Sequence, residues 1–326
     1  MSGIIIHNPG LLTTIQDTGR TGYRQYGMPS SGAMDQLSLR CANWLVGNDL
    51  SEAVMEITVM GPDIEFLNSC RFAITGASFS PELNGVKIAE WTTIKAKKGD
   101  LLSFGNLRSG ARAYLSISGG FRIEDKMGSK STYLPSAIGG YNGRALKNGD
   151  IIPLFPTLPA KFKERKIPFD IIPRYFNNVS LSVLPGVDWN DFSDETKKSF
   201  FGTEYIVTSD SNRMGYRLDG PPVRSDVSNE VLSRAVHYGT IQIPGDGQPI
   251  IMGADCQTIG GYRQFVNVIS AELNLLAQIM PGYRVSFKLV ELTAAISDLR
   301  KSEDRFAAVF RKGSKIICTD CIVYKR

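Results

Sequence analysis

A chain of 326 residues, 42% hydrophobic and 21% charged, holds enough apolar material for two cored domains, which excludes disorder. A net charge of +5 with one basic run, Lys161-Phe-Lys-Glu-Arg-Lys166, read as solvated linker, gives no footprint for nucleic acid. Two histidines and an odd five cysteines exclude a polyhistidine metal centre and a disulfide scaffold; no metal is expected, and a reducing, cytoplasmic setting is.

The opening segment, Met1-Ser-Gly-Ile-Ile-Ile-His-Asn-Pro9, lacks a basic start and its apolar run is too short for a signal peptide or a membrane span. Met34 to Val46 carries Met34, Leu37, Cys41 and Leu45 on one stripe and predicts a helix stopped by Gly47. Short β-branched or alternating runs follow: Cys70–Thr75, Val86–Trp91, Arg112–Ser118, Leu181–Leu184 and Arg284–Val290. They predict strands. Asn84-Gly85 suits a two-residue type I′ hairpin, and Gly61-Pro62, Lys98-Gly-Asp100, Asn148-Gly-Asp150 and Pro281-Gly282 mark further turns.

Five prolines between Pro153 and Pro173 mark the expected boundary, giving a first domain at 1–155, a linker at 156–174 and a second domain at 175–326. Ser270 is expected to cap a short helix, and Thr293 a longer one with Ile296, Leu299, Phe306 and Phe310 on one face. Cys318-Thr-Asp-Cys321 lies between strand-like flanks and reads as incidental rather than a zinc or redox motif.

The two halves echo one another. Arg20-Thr-Gly-Tyr-Arg-Gln-Tyr-Gly-Met-Pro29 returns as Arg213-Met-Gly-Tyr-Arg-Leu-Asp-Gly-Pro-Pro222, followed in the same order by Ile74–Ser78 with Ile251–Asp255 and Gly99–Phe104 with Gly282–Phe287. Collinear repeats predict homologous domains.

Chemistry concentrates in the second half, where Gln242, Gln248, Asp255, Gln257, Thr258 and Tyr262 alternate with glycine and proline between Gly239 and Tyr262. Such a segment either binds a small amide or carboxylate or satisfies its own turns. The repeated loops add Asp17, Arg20, Arg24, Asp35 and Arg40 early and Arg213, Arg217 and Asp219 late, suited either to gripping an anion or to pairing the loops with each other. Gly128-Ser-Lys-Ser131 fails the Walker spacing and reads as a turn able to hold an anion through its amides. Asp125-Lys-Met-Gly128 lacks the second methionine of a biotin-accepting lysine, so biotin is not expected on this chain.

Thr13–Arg20, Gly27–Asp35, Arg40–Asn48, Gly128–Tyr133, Gly143–Leu146, Arg213–Leu218 and Gln257–Tyr262 together resemble the biotin-dependent carboxyltransferase family, in its branch of 5-oxoprolinase C subunits (KipA-type, allophanate hydrolase subunit 2). The resemblance spans about residues 3–290 and departs locally at Cys256, Ile259 and Arg263. It implies a mainly β fold of two tandem cyclophilin-like β-barrel domains with a few short helices.

It also implies partners, one KipI-like and one LamB/YcsF-like, with ATP as co-substrate of a complex that hydrolyses 5-oxo-L-proline to L-glutamate. On that basis Asp255, Gln257 and Thr258 are expected to be catalytic. Gln242, Gln248, Tyr262, Arg213, Arg217, Arg20 and Asp35 are expected to bind substrate. Carboxyl transfer to a urea-like amide and sequestration of a KipI-like kinase inhibitor are the competing implications.

Overall fold

The computed structural model describes residues 2–156, 163–228 and 231–312. Cys318 and Cys321 lie outside them, as does part of the basic, proline-rich segment.

The fold is mainly β. In the first half a six-stranded sheet runs Ile151–Pro153, Gly3–Asn8, Asp63–Phe66, Leu101–Ser103, Glu82–Leu83 and Val86–Lys87, and a five-stranded sheet runs Leu12–Gln16, Val54–Thr58, Ser109–Ile117, Cys70–Ser78 and Ile94–Ala96. Ile4, Ile6, Ile64 and Phe66 from the first sheet and Ile15, Ile57, Phe72, Ile74 and Leu115 from the second form one fully buried core. Two sheets each hiding one face must meet this way.

The second half closes completely. Asn178–Pro185, Arg263–Val268, Thr240–Ile243, Ile250–Met252, Gly215–Asp219, Tyr205–Val207 and Arg284–Leu289 form a closed barrel, sealed by a parallel pairing between Asn178–Pro185 and Arg284–Leu289. Closure removes exposed sheet edges. In its core Phe200 stacks on Phe287, ring centroids 4.7 Å apart, and meets Phe265 edge-on.

Among the described residues four α-helices decorate this frame: α1 (Gln36–Val46), α2 (Asp194–Phe201), α3 (Leu273–Leu276) and α4 (Leu292–Lys312). Helix α1 starts where Asp35 caps it, accepting from the Ser38 amide at 2.9 Å, and ends at Gly47 with φ 79°. Helix α4, from the distal end of the chain, returns to α1 through Phe306 and Val309 against Leu37, Cys41 and Trp44, and Glu303 forks onto Arg40 at 2.8 and 3.0 Å. Met34, just ahead of α1, packs into the barrel's core. Each half therefore lends the other a buried element. No described helix is long and apolar enough to cross a membrane.

Candidate functional site

The two copies of the repeated motif adopt different local structures. The second enters the barrel as the strand Gly215–Asp219, whereas the first stays a loop with a 3-10 turn at Arg24–Tyr26 closed by Gly27 in the left-handed region. Their leading arginines meet opposite fates.

Arg213 is saturated. Its Nε and Nη2 fork onto Asp255 at 2.8 and 3.0 Å, its Nη2 also donates to the Gly32 carbonyl at 2.6 Å, and its Nη1 donates to Glu56. Arg213, Asp255 and Glu56 are 5%, 2% and 1% exposed, so this triad is a core ion pair spanning the halves. Glu56 also accepts from the Met34 amide and the Tyr114 hydroxyl, both at 2.9 Å. Burial opposes the charge on Arg213, but Asp255 and Glu56 override it and hold its pKa above the ordinary value. Of the two readings for this arginine, pairing between the loops is the one its geometry shows.

Nearby, Gln278 fastens the same seam. Its side-chain carbonyl accepts from the amides of Ala111 and Arg112, both at 2.9 Å, while its amide donates to Asp35 Oδ2 at 2.8 Å. Asp35 is fully buried, with both oxygens held by Ser38 and Gln278, so it serves the cap of α1 and is not open to a ligand.

Asp17 organises the loops beside Arg213. It accepts from Gly19 N at 2.8 Å, Ser129 Oγ at 2.7 Å and Lys130 N at 2.6 Å, and from Ser131 Oγ. The Gly128–Ser131 turn thus spends hydroxyls and an amide on a carboxylate of the chain itself. Arg20 donates Nη2 to the Ser131 carbonyl. Burial lowers its pKa, and the charges of Asp17 and Asp255 push back.

The polar segment of the second half divides. Gln257 Nε2 lies 3.5 Å from Gln242 Oε1, and Gln242 Nε2 lies 3.4 Å from the Tyr262 carbonyl, so three predicted residues converge. Thr258, 7% exposed, joins them through the chain, its carbonyl accepting from Val236 N at 3.0 Å. Tyr262 is half exposed at the edge of this group. Gln248 is elsewhere: its amide group brackets Gly220 by accepting at 3.2 Å and donating at 3.1 Å, which fixes a turn. Arg217 points off the barrel, because strand alternation turns Tyr216 inward and Arg217 out.

Around the Gln257 group stand Arg24, already marked by the repeat, and three residues not expected at the site, Cys256, His237 and Tyr133. Arg24 reaches across from the first half to the Val236 carbonyl. Burial pushes the Cys256 thiol up to about 11, with Arg24 opposing, so it is not a nucleophile at neutral pH. Partial burial and Arg24 push His237 down, which favours its neutral form. Tyr133, from the first half, is raised by burial first and then by the charge of Asp255. Glu56, Tyr133 and Gln278 carried one sequence signal at most: Glu56 is a lone carboxylate inside an otherwise apolar strand.

No group of three metal-ligating side chains occurs among the described residues. Two open hollows, of about 540 and 390 Å3, lie along Phe169–Tyr175 beside α4 and over the Ala137–Gly143 turn, and neither is lined by Asp255 or Gln257.

Residues 26–289 match the carboxyltransferase domain, subdomain A and B. The chain belongs to this family. It is similar to the C subunit of 5-oxoprolinase from Escherichia coli K12, 35% identical over 297 residues that make up 91% of this chain and 94% of that one. It is also similar to urea amidolyase of Saccharomyces cerevisiae, 35% identical over 320 residues, but these are 93% of this chain and 17% of that protein. The crystal structure of the K. lactis urea amidolyase superposes with a TM-score of 0.89 at 33% identity, covering 98% of this chain and 20% of that chain. In these larger relatives the carboxyltransferase domain is one part among others.

Proposed function

We propose that this chain is the C subunit of an ATP-dependent 5-oxoprolinase complex that hydrolyses 5-oxo-L-proline to L-glutamate. The observation that carries the reading is end-to-end similarity: the match to the 5-oxoprolinase C subunit fills over nine-tenths of both chains, whereas urea amidolyase is matched over 17% of its length. Such a match implies companion subunits, here one KipI-like and one LamB/YcsF-like, in the cytoplasm. ATP is the co-substrate of the complex, and biotin is not attached to this chain.

A lactam resists water because amide resonance must be broken. Transfer of the γ-phosphoryl group of ATP to the lactam oxygen releases ADP and leaves a carbon open to attack. Water then adds, the C–N bond breaks to free the amino group, and a second water releases phosphate from the acyl phosphate, leaving glutamate. Negative charge gathers on oxygen along this route, where fixed donors act best. Gln257 and Gln242 offer converging amides, Thr258 is next in the chain, and Tyr262 stands half exposed at the edge of the group. Asp255 acts through Arg213, holding the segment in register across the seam.

The match over 98% of this chain to urea amidolyase favours a second reading, carboxyl transfer from carboxybiotin to a urea-like amide. Mixing this chain with its KipI-like and LamB/YcsF-like partners and assaying ATP-dependent glutamate release decides between them. Release that requires this chain supports the oxoprolinase reading. Release without it would sink that reading, and turnover that needs bicarbonate and is blocked by avidin would favour carboxyl transfer. A KipA-like protein that only sequesters its partner predicts that Gln257→Ala changes nothing.

A further inference from the structure

Arg20 is the largest side chain in the described structure with less than 2% exposure, and it is a cation. Only Nη2 has an acceptor, the Ser131 carbonyl; Nε and Nη1 are buried with no hydrogen-bond partner among the described residues. Two carboxylates act on it through space, Asp17 and Asp255, but neither supplies the missing acceptor. Asp17 is taken by Gly19, Ser129, Lys130 and Ser131, and Asp255 by Arg213.

A second unmatched group sits in the same pair of loops. The Arg20 amide donates to the Ser30 carbonyl at 2.7 Å, and the next residue, Ser31, holds a left-handed φ of 53° with its hydroxyl buried and unpartnered. Buried unpaired donors and a left-handed non-glycine residue are each costly, and both are kept here. The repeat supplies the contrast, since Arg213, at the matching motif position, has every fork filled by the chain's own acceptors.

We infer that Arg20, with Ser31 on the loop its backbone pairs with, is a receptor for the carboxylate of the substrate and makes the site selective for an amide that carries an acid group. The inference rests on the oxoprolinase reading and deepens it. A lactam acid such as 5-oxoproline offers a planar carboxylate to the unfilled Nε and Nη1 of the buried guanidinium and an amide to the Gln257 group, which follows Asp255 by two residues. Urea offers no such anion.

The test uses the assembled complex. Arg20→Met should raise KM for 5-oxoproline about 10- to 100-fold with kcat within about threefold, the loss expected for a charge-assisted fork. Arg20→Lys should recover part of the loss, and Ser31→Ala should raise KM by a smaller factor. Inhibition by 2-pyrrolidinone, a lactam without the acid, should be unchanged in all three. An unchanged KM in a folded Arg20→Met complex overturns the inference and leaves the functional reading standing.

Should Arg20→Met fail to fold, the wild-type complex decides. Its affinity for 5-oxoprolinamide, the neutral amide, should be at least about tenfold below that for 5-oxoproline, and equal affinity overturns the inference. If the wild-type complex releases no glutamate, the functional reading fails separately. Calorimetry of the full chain with the same two ligands then tests the carboxylate site alone, with preference for the acid supporting it and no preference overturning it.

Discussion

At the scale of single residues, side-chain type was legible and side-chain partnership was not. The repeated arginines stood out from spacing alone, yet nothing in Arg213-Met-Gly-Tyr-Arg217 shows that its first member would be consumed by Asp255 and Glu56. Partners 42 and 157 positions away are set by the packing of the halves. Removing one member of a buried ion triad strands the others, so Arg213→Met should destabilise the fold by about 3–5 kcal/mol. Adding Asp255→Asn and Glu56→Gln should recover part of that, as read from urea denaturation midpoints of the single and triple variants.

Asp35 has a pH signature of its own. Burial raises its carboxyl above the ordinary range, against the hydrogen bonds from Ser38 and Gln278. The folded state then holds that proton more tightly than the unfolded chain. The group's contribution is therefore complete below the ordinary carboxylate value and declines as pH rises from there through the raised folded value. Asp35→Asn cannot titrate, so its melting temperature relative to wild type should rise as pH climbs above about 4. A constant difference would contradict a raised folded value.

Among the elements, those with local stop and start signals were the most legible. Helix α1 ends at Gly47 as its sequence predicts and begins two residues later than the apolar stripe suggests, because Asp35 is the cap. The Asn84-Gly85 hairpin takes φ of 54° and 76°, as a type I′ turn requires. Val86–Trp91 was expected to be strand throughout and pairs only over Val86–Lys87. The reason is tertiary: Glu90 turns to accept from the Phe79 amide at 2.8 Å and Trp91 adopts a left-handed φ of 58°.

Ser270 opens a 3-10 turn rather than capping a regular helix, and α3 follows at Leu273. The turn at Ala137–Gly143 could not be read from its glycines alone. Gly139 has φ 69°, and a Cβ there would collide with the Ser131 carbonyl and Arg20 Nη2. Gly139→Ala should cost at least about 2 kcal/mol by thermal melting, through backbone strain and displacement of the Arg20 loop.

For the whole molecule, the β content was visible because strand alternation and turn residues are local. The two halves are not equal copies in space. The second closes into a barrel, the first remains two facing sheets, and Met34 and α4 cross over to seal one against the other. The polar seam they share gathers residues from both repeats, so the candidate site is a product of assembly and could be read in the sequence only as a list of parts.

The identity of the substrate is tested most directly by supplying the assembled complex with ATP and either 5-oxo-L-proline or urea, with products followed in parallel. We expect glutamate from 5-oxo-L-proline, none when this chain is omitted, and no turnover of urea with or without bicarbonate. Bicarbonate-dependent turnover of urea with 5-oxo-L-proline left intact would contradict the oxoprolinase reading.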